Sequence, residues 1–256
     1  MKKVFYVLTF FFITVFVNAQ DITPGAEYGS IETLFDVALA EGVQVSNVSL
    51  NADYTRFSGS FDQGIPTLSV DSGFVMSTKS LNFPILFVSA NSDPDLLSLY
   101  TNTGLSGSLD NVLVLEFDFV PSSNVVSFDY VFETDLQTTP TNYNNVFGIF
   151  ISGPGINGAY SNGAENIGQE QFPYLGFTSE FVASATVQPC ETYHMKIAIS
   201  GTDASRLYIK EHSIYSPTEV TMTVASNVTD YFSSNSPHYN TIFEGCGDAV
   251  ITFYRP

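Results

Sequence analysis

Two neighbouring runs of period-two alternation constrain this chain most. From Asn111 to Val120, Leu113, Leu115, Phe117 and Phe119 fall on one side, and Glu116 and Asp118 on the other. After Pro121-Ser122-Ser123-Asn124, Val126, Phe128, Tyr130 and Phe132 repeat the pattern. Successive side chains of a strand point to opposite faces, so each run reads as a strand with one face in a core. The Pro/Ser/Asn turn between them predicts a hairpin.

Other segments agree. Val43-Gln44-Val45-Ser46-Asn47-Val48 alternates, and Val146 to Ile151 is a buried-looking run ended by Gly153-Pro154-Gly155. Further strands are expected at Phe177–Val187, Thr192–Ser200 and Leu207–Ile214. Two short helices interrupt them. Ser30 can cap one, in which Ile31, Leu34, Phe35, Ala38 and Leu39 recur at helical spacing. Asp93 can cap the other, with Pro94 at its first position and Asp95 at the positive end of its dipole. Many short strands with little helix predict an all-β fold, a β-sandwich or jelly-roll-like domain with one or two short helices.

The N-terminus names a compartment. Lys2 and Lys3 precede an apolar run from Val4 to Val17, and Val17-Asn18-Ala19 supplies small-residue cleavage chemistry before Gln20. This predicts a secretory signal peptide over 1–19. The run is short for a membrane core of ~30 Å, and no later segment is apolar enough to span one. The β-rich domain is expected over 20–216. Composition shifts at Ser216-Pro217, and 217–256 reads as the start of a second β-rich domain, cut short at Arg255-Pro256.

Charge excludes some partners. The chain has 26 acidic and 8 basic residues, a net charge of −18. Loss of Lys2 and Lys3 with the leader deepens it to −20. Clustered Lys and Arg are what nucleic acid and anionic lipid require, and they are missing. Self-repulsion favours a soluble monomer. Cys190 and Cys246 could pair in an oxidising compartment, although they fall in different expected domains, and neither has the spacing of a structural zinc site.

The central motifs are specific. Val114-Leu115-Glu116-Phe117-Asp118-Phe119-Val120-Pro121 is followed by Val126-Ser127-Phe128-Asp129-Tyr130-Val131-Phe132, then by Tyr143-Asn144-Asn145-Val146-Phe147-Gly148-Ile149-Phe150-Ile151-Ser152-Gly153-Pro154-Gly155. Later comes Pro189-Cys190-Glu191-Thr192-Tyr193-His194-Met195-Lys196-Ile197-Ala198-Ile199. Over roughly residues 28 to 215 this ordered set closely resembles the choice-of-anchor L domain family of bacterial cell-surface proteins. Val45-Ser46-Asn47-Val48, Ser72 to Thr78 and Asp93-Pro94-Asp95-Leu96 look like its N-terminal blocks. The resemblance implies an exported, surface-displayed β-rich module, usually joined to a variable C-terminal anchoring or sorting segment, with no established biochemical activity. Acidic positions of the family pattern are partly replaced here, at Glu133-Thr134-Asp135-Leu136, at Asn144-Asn145 and at Ser200-Gly201-Thr202-Asp203.

Calcium is the cation candidate, since loop carboxylates, amides and carbonyls supply its six to eight oxygen ligands. Asp93, Asp95, Glu133, Asp135, Asn144, Asn145 and Asp203 are the candidate ligands. The bland alternative is that Asp93 caps its helix and the others are solvated or make Asx turns. No other cofactor is indicated. Gly153-Pro154-Gly155-Ile156-Asn157-Gly158 matches a dinucleotide fingerprint only formally, because turn residues follow it instead of a helix. His194 sits in an alternating strand and reads as a hydrogen-bonded structural histidine, and no nucleophile elbow is present. Tyr143, Tyr160, Phe172 and Tyr174 lie in or near loops and could form a sugar-stacking platform. The expectation is an exported surface interaction or adhesion module without catalytic activity, with a glycan or protein ligand. A carbohydrate-binding module is the first alternative and a secreted hydrolase the second.

Overall fold

The computed structural model describes residues 21–39, 42–62, 68–102, 108–134, 145–171, 176–202, 204–217, 221–226 and 249–254. Along them run β1 (Asp21–Pro24), α1 (Ile31–Phe35), β2 (Val43–Leu50), α2 (Tyr54–Phe57), β3 (Ser58–Asp62), β4 (Gly73–Ser77) and α3 (Pro94–Asn102). There follow β5 (Leu113–Pro121), β6 (Val125–Thr134), β7 (Val146–Ser152), β8 (Glu165–Gln171), β9 (Gly176–Phe177), β10 (Phe181–Thr186), β11 (Tyr193–Ser200) and β12 (Ser205–Lys210). The last two strands are β13 (Thr221–Ser226) and β14 (Ala249–Tyr254).

The first twelve strands make two antiparallel sheets. One has the order β1-β3-β4-β12-β6-β10, with β9 also paired to β6. The other has the order β2-β5-β11-β7-β8. The all-β sandwich expected from alternation is therefore what forms. β13 and β14 pair with each other in a separate two-stranded sheet.

One core fills the space between the sheets. Leu113, Leu115, Phe117 and Phe119 of β5 face Val126, Phe128, Tyr130 and Phe132 of β6 within it. Phe35 of α1 packs on Phe74 from one sheet at 5.2 Å and on Phe117 from the other at 4.8 Å. Phe132 and Phe147 meet across the sheets at 4.8 Å. Asn145 adds a polar tie, donating to Thr134 Oγ1 at 2.6 Å and accepting from Ser205 Oγ at 3.3 Å.

The expected hairpin between β5 and β6 is corrected by this arrangement. β5 pairs with β2 and β11, whereas β6 pairs with β12, β10 and β9. The two strands stack face to face across the core, and the turn between them is an arch. Its backbone groups bond to other segments instead of closing a hairpin. Ser122 N–H donates to Gly42 O at 2.8 Å and Ser123 N–H to Ser216 Oγ at 2.9 Å, while Asn124 O accepts from Val187 N–H at 3.0 Å. Alternation reports that a strand has one apolar face; it does not report whether the neighbouring run lies beside that face or opposite it.

A second difference is at Phe177–Val187, which forms β9 and β10 along the same edge of β6. Thr178 interrupts them by donating its N–H to Phe132 O at 2.9 Å and accepting from Phe132 N–H through Oγ1 at 3.0 Å. Both helix starts are as expected. Ser30 Oγ accepts from Thr33 N–H at 3.2 Å, and Asp93 Oδ1 accepts from Asp95 N–H at 3.1 Å and Leu96 N–H at 2.8 Å.

Candidate functional site

The outer face of the five-stranded sheet carries the charged groups. On β11 the inward positions Tyr193, Met195, Ile197 and Ile199 join the main core. The alternate positions His194, Lys196 and Ala198 therefore point outward. Register sets Lys196 opposite Glu116 on β5 and Phe150 on β7, and His194 opposite Asp118 and Ser152.

α3 covers part of this face. Leu96, Leu99 and Tyr100 pack with Val114, Val146, Phe150 and Ala198 in a small second core. Gly148 makes room for the helix: a Cβ there would come within 2.6 Å of the Phe150 ring and 3.0 Å of Leu99. At the helix N-terminus, Asp93, Asp95 and Lys196 are all buried. Lys196 Nζ donates to Asp93 Oδ1 at 3.2 Å, to Asp93 Oδ2 at 3.1 Å, and to Asp95 Oδ2. It also lies 5.2 Å from the centre of the Phe150 ring, a cation–π contact. The other oxygen of Asp95 accepts from Ser161 N–H and Ser161 Oγ, each at 2.7 Å. Burial pushes the Asp95 carboxyl up, but Lys196 and the two Ser161 donors outweigh it and hold it below the ordinary range.

The same face opens to solvent two residues along β11. His194 Nδ1 lies 2.9 Å from Asp118 Oδ1, and its Nε2 lies 3.5 Å from Glu116 Oε1. Asn47 Nδ2 donates to the second Asp118 oxygen at 2.7 Å. Asn47 reaches it from a left-handed conformation (φ 55°) where the β2–β5 register shifts between Ser46 and Ser49. The Asn47 and His194 hydrogen bonds exceed the effect of burial and hold Asp118 below its usual value. Between the buried and open parts lies a cavity of ≈ 90 Å³, bordered by Asp95, Glu116, Ser152, Ser161, Asn162, His194 and Lys196 among others. That is well under the roughly 300–1,000 Å³ of ordinary small-molecule pockets, so it admits waters or a single polar group.

Of the candidate cation ligands, Asp93 and Asp95 come together, and the cation they face is the Lys196 ammonium. Glu133 stands on the other sheet, accepting from Arg206 Nη1 at 2.8 Å and Tyr208 Oη at 2.6 Å. Asn145 is the inter-sheet tie already described. Asp135, Asn144 and Asp203 lie outside the described residues, as do Tyr143, Phe172, Tyr174, Cys246 and residues 1–19. Among the described residues no three His, Cys, Asp or Glu side chains converge as metal ligands. Tyr160 is half-buried and packs edge-on against Phe150 at 4.8 Å. Cys190 is exposed and free, with φ 65°. The Gly153-Pro154-Gly155 segment is a turn, closed by Ile156 N–H on Gly153 O at 3.1 Å. Among the described residues no helix is long and apolar enough to cross a membrane.

Glu116, Asp118, His194 and Lys196 were not among the candidates from sequence. Their signal was present: charged residues set at alternate positions of strands whose other face is wholly apolar. The sequence profile of the choice-of-anchor L domain matches residues 21–168, more than half of the chain. The chain belongs to the choice-of-anchor L domain family. That family is one of exported cell-surface modules. The matched stretch holds Asp93, Asp95, Glu116, Asp118 and Ser161, while His194 and Lys196 lie beyond it. No curated protein and no solved structure matches the chain.

Proposed function

We propose that this choice-of-anchor L domain is a surface interaction or adhesion module that acts by binding, with no catalytic turnover. The observation that carries this reading is the segment from Phe83 to Phe87. Phe83 is 90% exposed, and Ile85, Leu86 and Phe87 are exposed with it. Their backbone is held firmly. Ser80 N–H donates to Leu86 O at 2.8 Å, Leu86 N–H to Ser80 Oγ at 2.9 Å, and Asn82 Nδ2 to Thr55 O at 3.1 Å. A cluster of apolar side chains on a fixed loop is costly to leave in water and inexpensive to order on binding. Lys79 lies 6.0 Å from the Phe87 ring centre, which puts a cation at the base of the tip of an otherwise acidic chain. The matching partner is a protein surface with an apolar pocket and an acidic rim.

Beads coated with the folded chain should attach to surfaces bearing cell-envelope proteins. Phe83→Ser with Ile85→Ser should cut attachment at least about tenfold, as for loss of two anchor residues. Undiminished attachment by that double variant would remove the loop from the reading. The polar cavity favours a second reading, glycan recognition, because its carboxylates, Asn162 and His194 are the groups that bond sugar hydroxyls. A competable hit on a glycan array, lost in His194→Ala and kept in the loop variant, would put this reading first. Sustained turnover on ester, peptide or polysaccharide panels would replace both with a hydrolase.

A further inference from the structure

We propose that Lys196 and Asp95 condense to an intramolecular amide that staples the start of α3 to β11, with Asp93 as the proton carrier. Four features of the site point to it. The nucleophile and the electrophile are already in contact, since Lys196 Nζ touches Asp95 Oδ2. Both are buried, and the Phe150 ring lies against the Lys196 ammonium. A second carboxylate, Asp93, touches the same nitrogen through both oxygens. The remaining Asp95 oxygen is held by two donors at 2.7 Å, the Ser161 N–H and hydroxyl.

These features supply what amide formation needs. Fixing two reactants in contact is equivalent to a concentration of roughly 10⁵–10⁸ M. A buried ion pair gains by losing its charges, because neither ion recovers its full hydration there. The two Ser161 donors stand where negative charge develops as Nζ adds to Asp95 Cγ.

The steps balance without a co-reactant. One ammonium proton passes through Asp93 to Asp95 Oδ2, leaving a neutral amine and a neutral acid. The Nζ lone pair forms the bond to Cγ, and the carbonyl electrons move to Oδ1 against the Ser161 donors. Asp93 takes a second proton from Nζ and delivers it to Oδ2. The Cγ–Oδ2 bond breaks and water leaves, which the adjoining cavity can receive. Three ammonium hydrogens become one amide hydrogen and two in water. The three side chains carry one net negative charge before and after, on Asp93 at the end.

The staple would join residues 101 apart in sequence. The full chain, shown to be folded by a cooperative melt, is denatured and digested with trypsin and a glutamate-specific protease. Cleavage at Lys79, Glu116, Glu191 and Arg206 isolates segments 80–116 and 192–206. The expected product is these two segments joined, lighter than their sum by one water, with Lys196 resistant to trypsin. Lys196→Arg should give segment 80–116 alone at its full mass, with 192–206 cut by trypsin after residue 196. Asp93→Asn keeps a good helix cap and loses the proton carrier, so it should fold and remain largely unjoined. A folded wild-type chain with separate segments and trypsin cleavage at Lys196 overturns the proposal. Full joining in Asp93→Asn overturns the role of Asp93.

Discussion

The two faces of the five-stranded sheet are made by the same strands and follow different rules. The inner face, with Leu115, Phe117, Met195 and Ile197, is apolar throughout and fully buried. The outer face changes character along its length. It is apolar under α3, ionic but buried at Lys196, and ionic and open at His194, where the side chain is 42% exposed. The inner face tolerates almost no variation because it must fill a shared core. The outer face shows how little of a charged group's energetic weight depends on its type and how much depends on water.

The inner face should be the most sensitive. Phe117→Ala leaves a cavity against Phe35 and Phe119 and should cost about 3–5 kcal/mol in urea unfolding. A loss under about 1 kcal/mol would mean that the sandwich core is far looser than its ring contacts indicate.

On the outer face the contrast is between neighbours two residues apart. Lys196→Met leaves Asp93 and Asp95 buried without their cation and should cost about 3–5 kcal/mol. His194→Ala, on the same strand but open to water, should stay within about 0.5 kcal/mol. Equal effects at the two positions would show that burial is not what separates them. Gly148→Ala tests the cover itself. Its Cβ would press on Phe150 and Leu99 and should cost about 1–3 kcal/mol by lifting α3 from the sheet.

How much of this was legible follows from the range of each signal. The caps at Ser30 and Asp93 were readable because cap and helix are adjacent in the chain. The one-sided strands were readable because alternation is local. The arch at Pro121–Asn124 was not, because its outcome depends on hydrogen bonds to Gly42, Val187 and Ser216. The sequence offers Asp93 and Asp95 as two of seven candidate cation ligands, but the ammonium between them comes from 103 and 101 residues away. Lys196 sits among Met195, Ile197 and Ala198, where a lone charge must find a partner, yet periodicity does not say which carboxylate that partner is.

Acid separates the buried and open ion pairs most finely, with the smallest expected effect. Asp118 titrates below its ordinary range when folded, through Asn47 and His194. The unfolded chain therefore binds the proton first, and the contribution of Asp118 is complete above about pH 4. It is lost as pH falls through the lower folded value. Asp95 has the same sign as a free carboxylate, with its partner Lys196 and the Ser161 donors. Asn47→Ala removes the first donor to Asp118, so the loss of urea stability between about pH 5 and pH 2 should shrink relative to wild type. If Asp95 is in an amide, it no longer titrates. The acid-dependent loss should then be smaller in the wild type than in Lys196→Arg, where the carboxylate is free and still faces a cation. Carboxyl NMR titration assigns the two: Asp118 should move in both proteins, and Asp95 in Lys196→Arg alone.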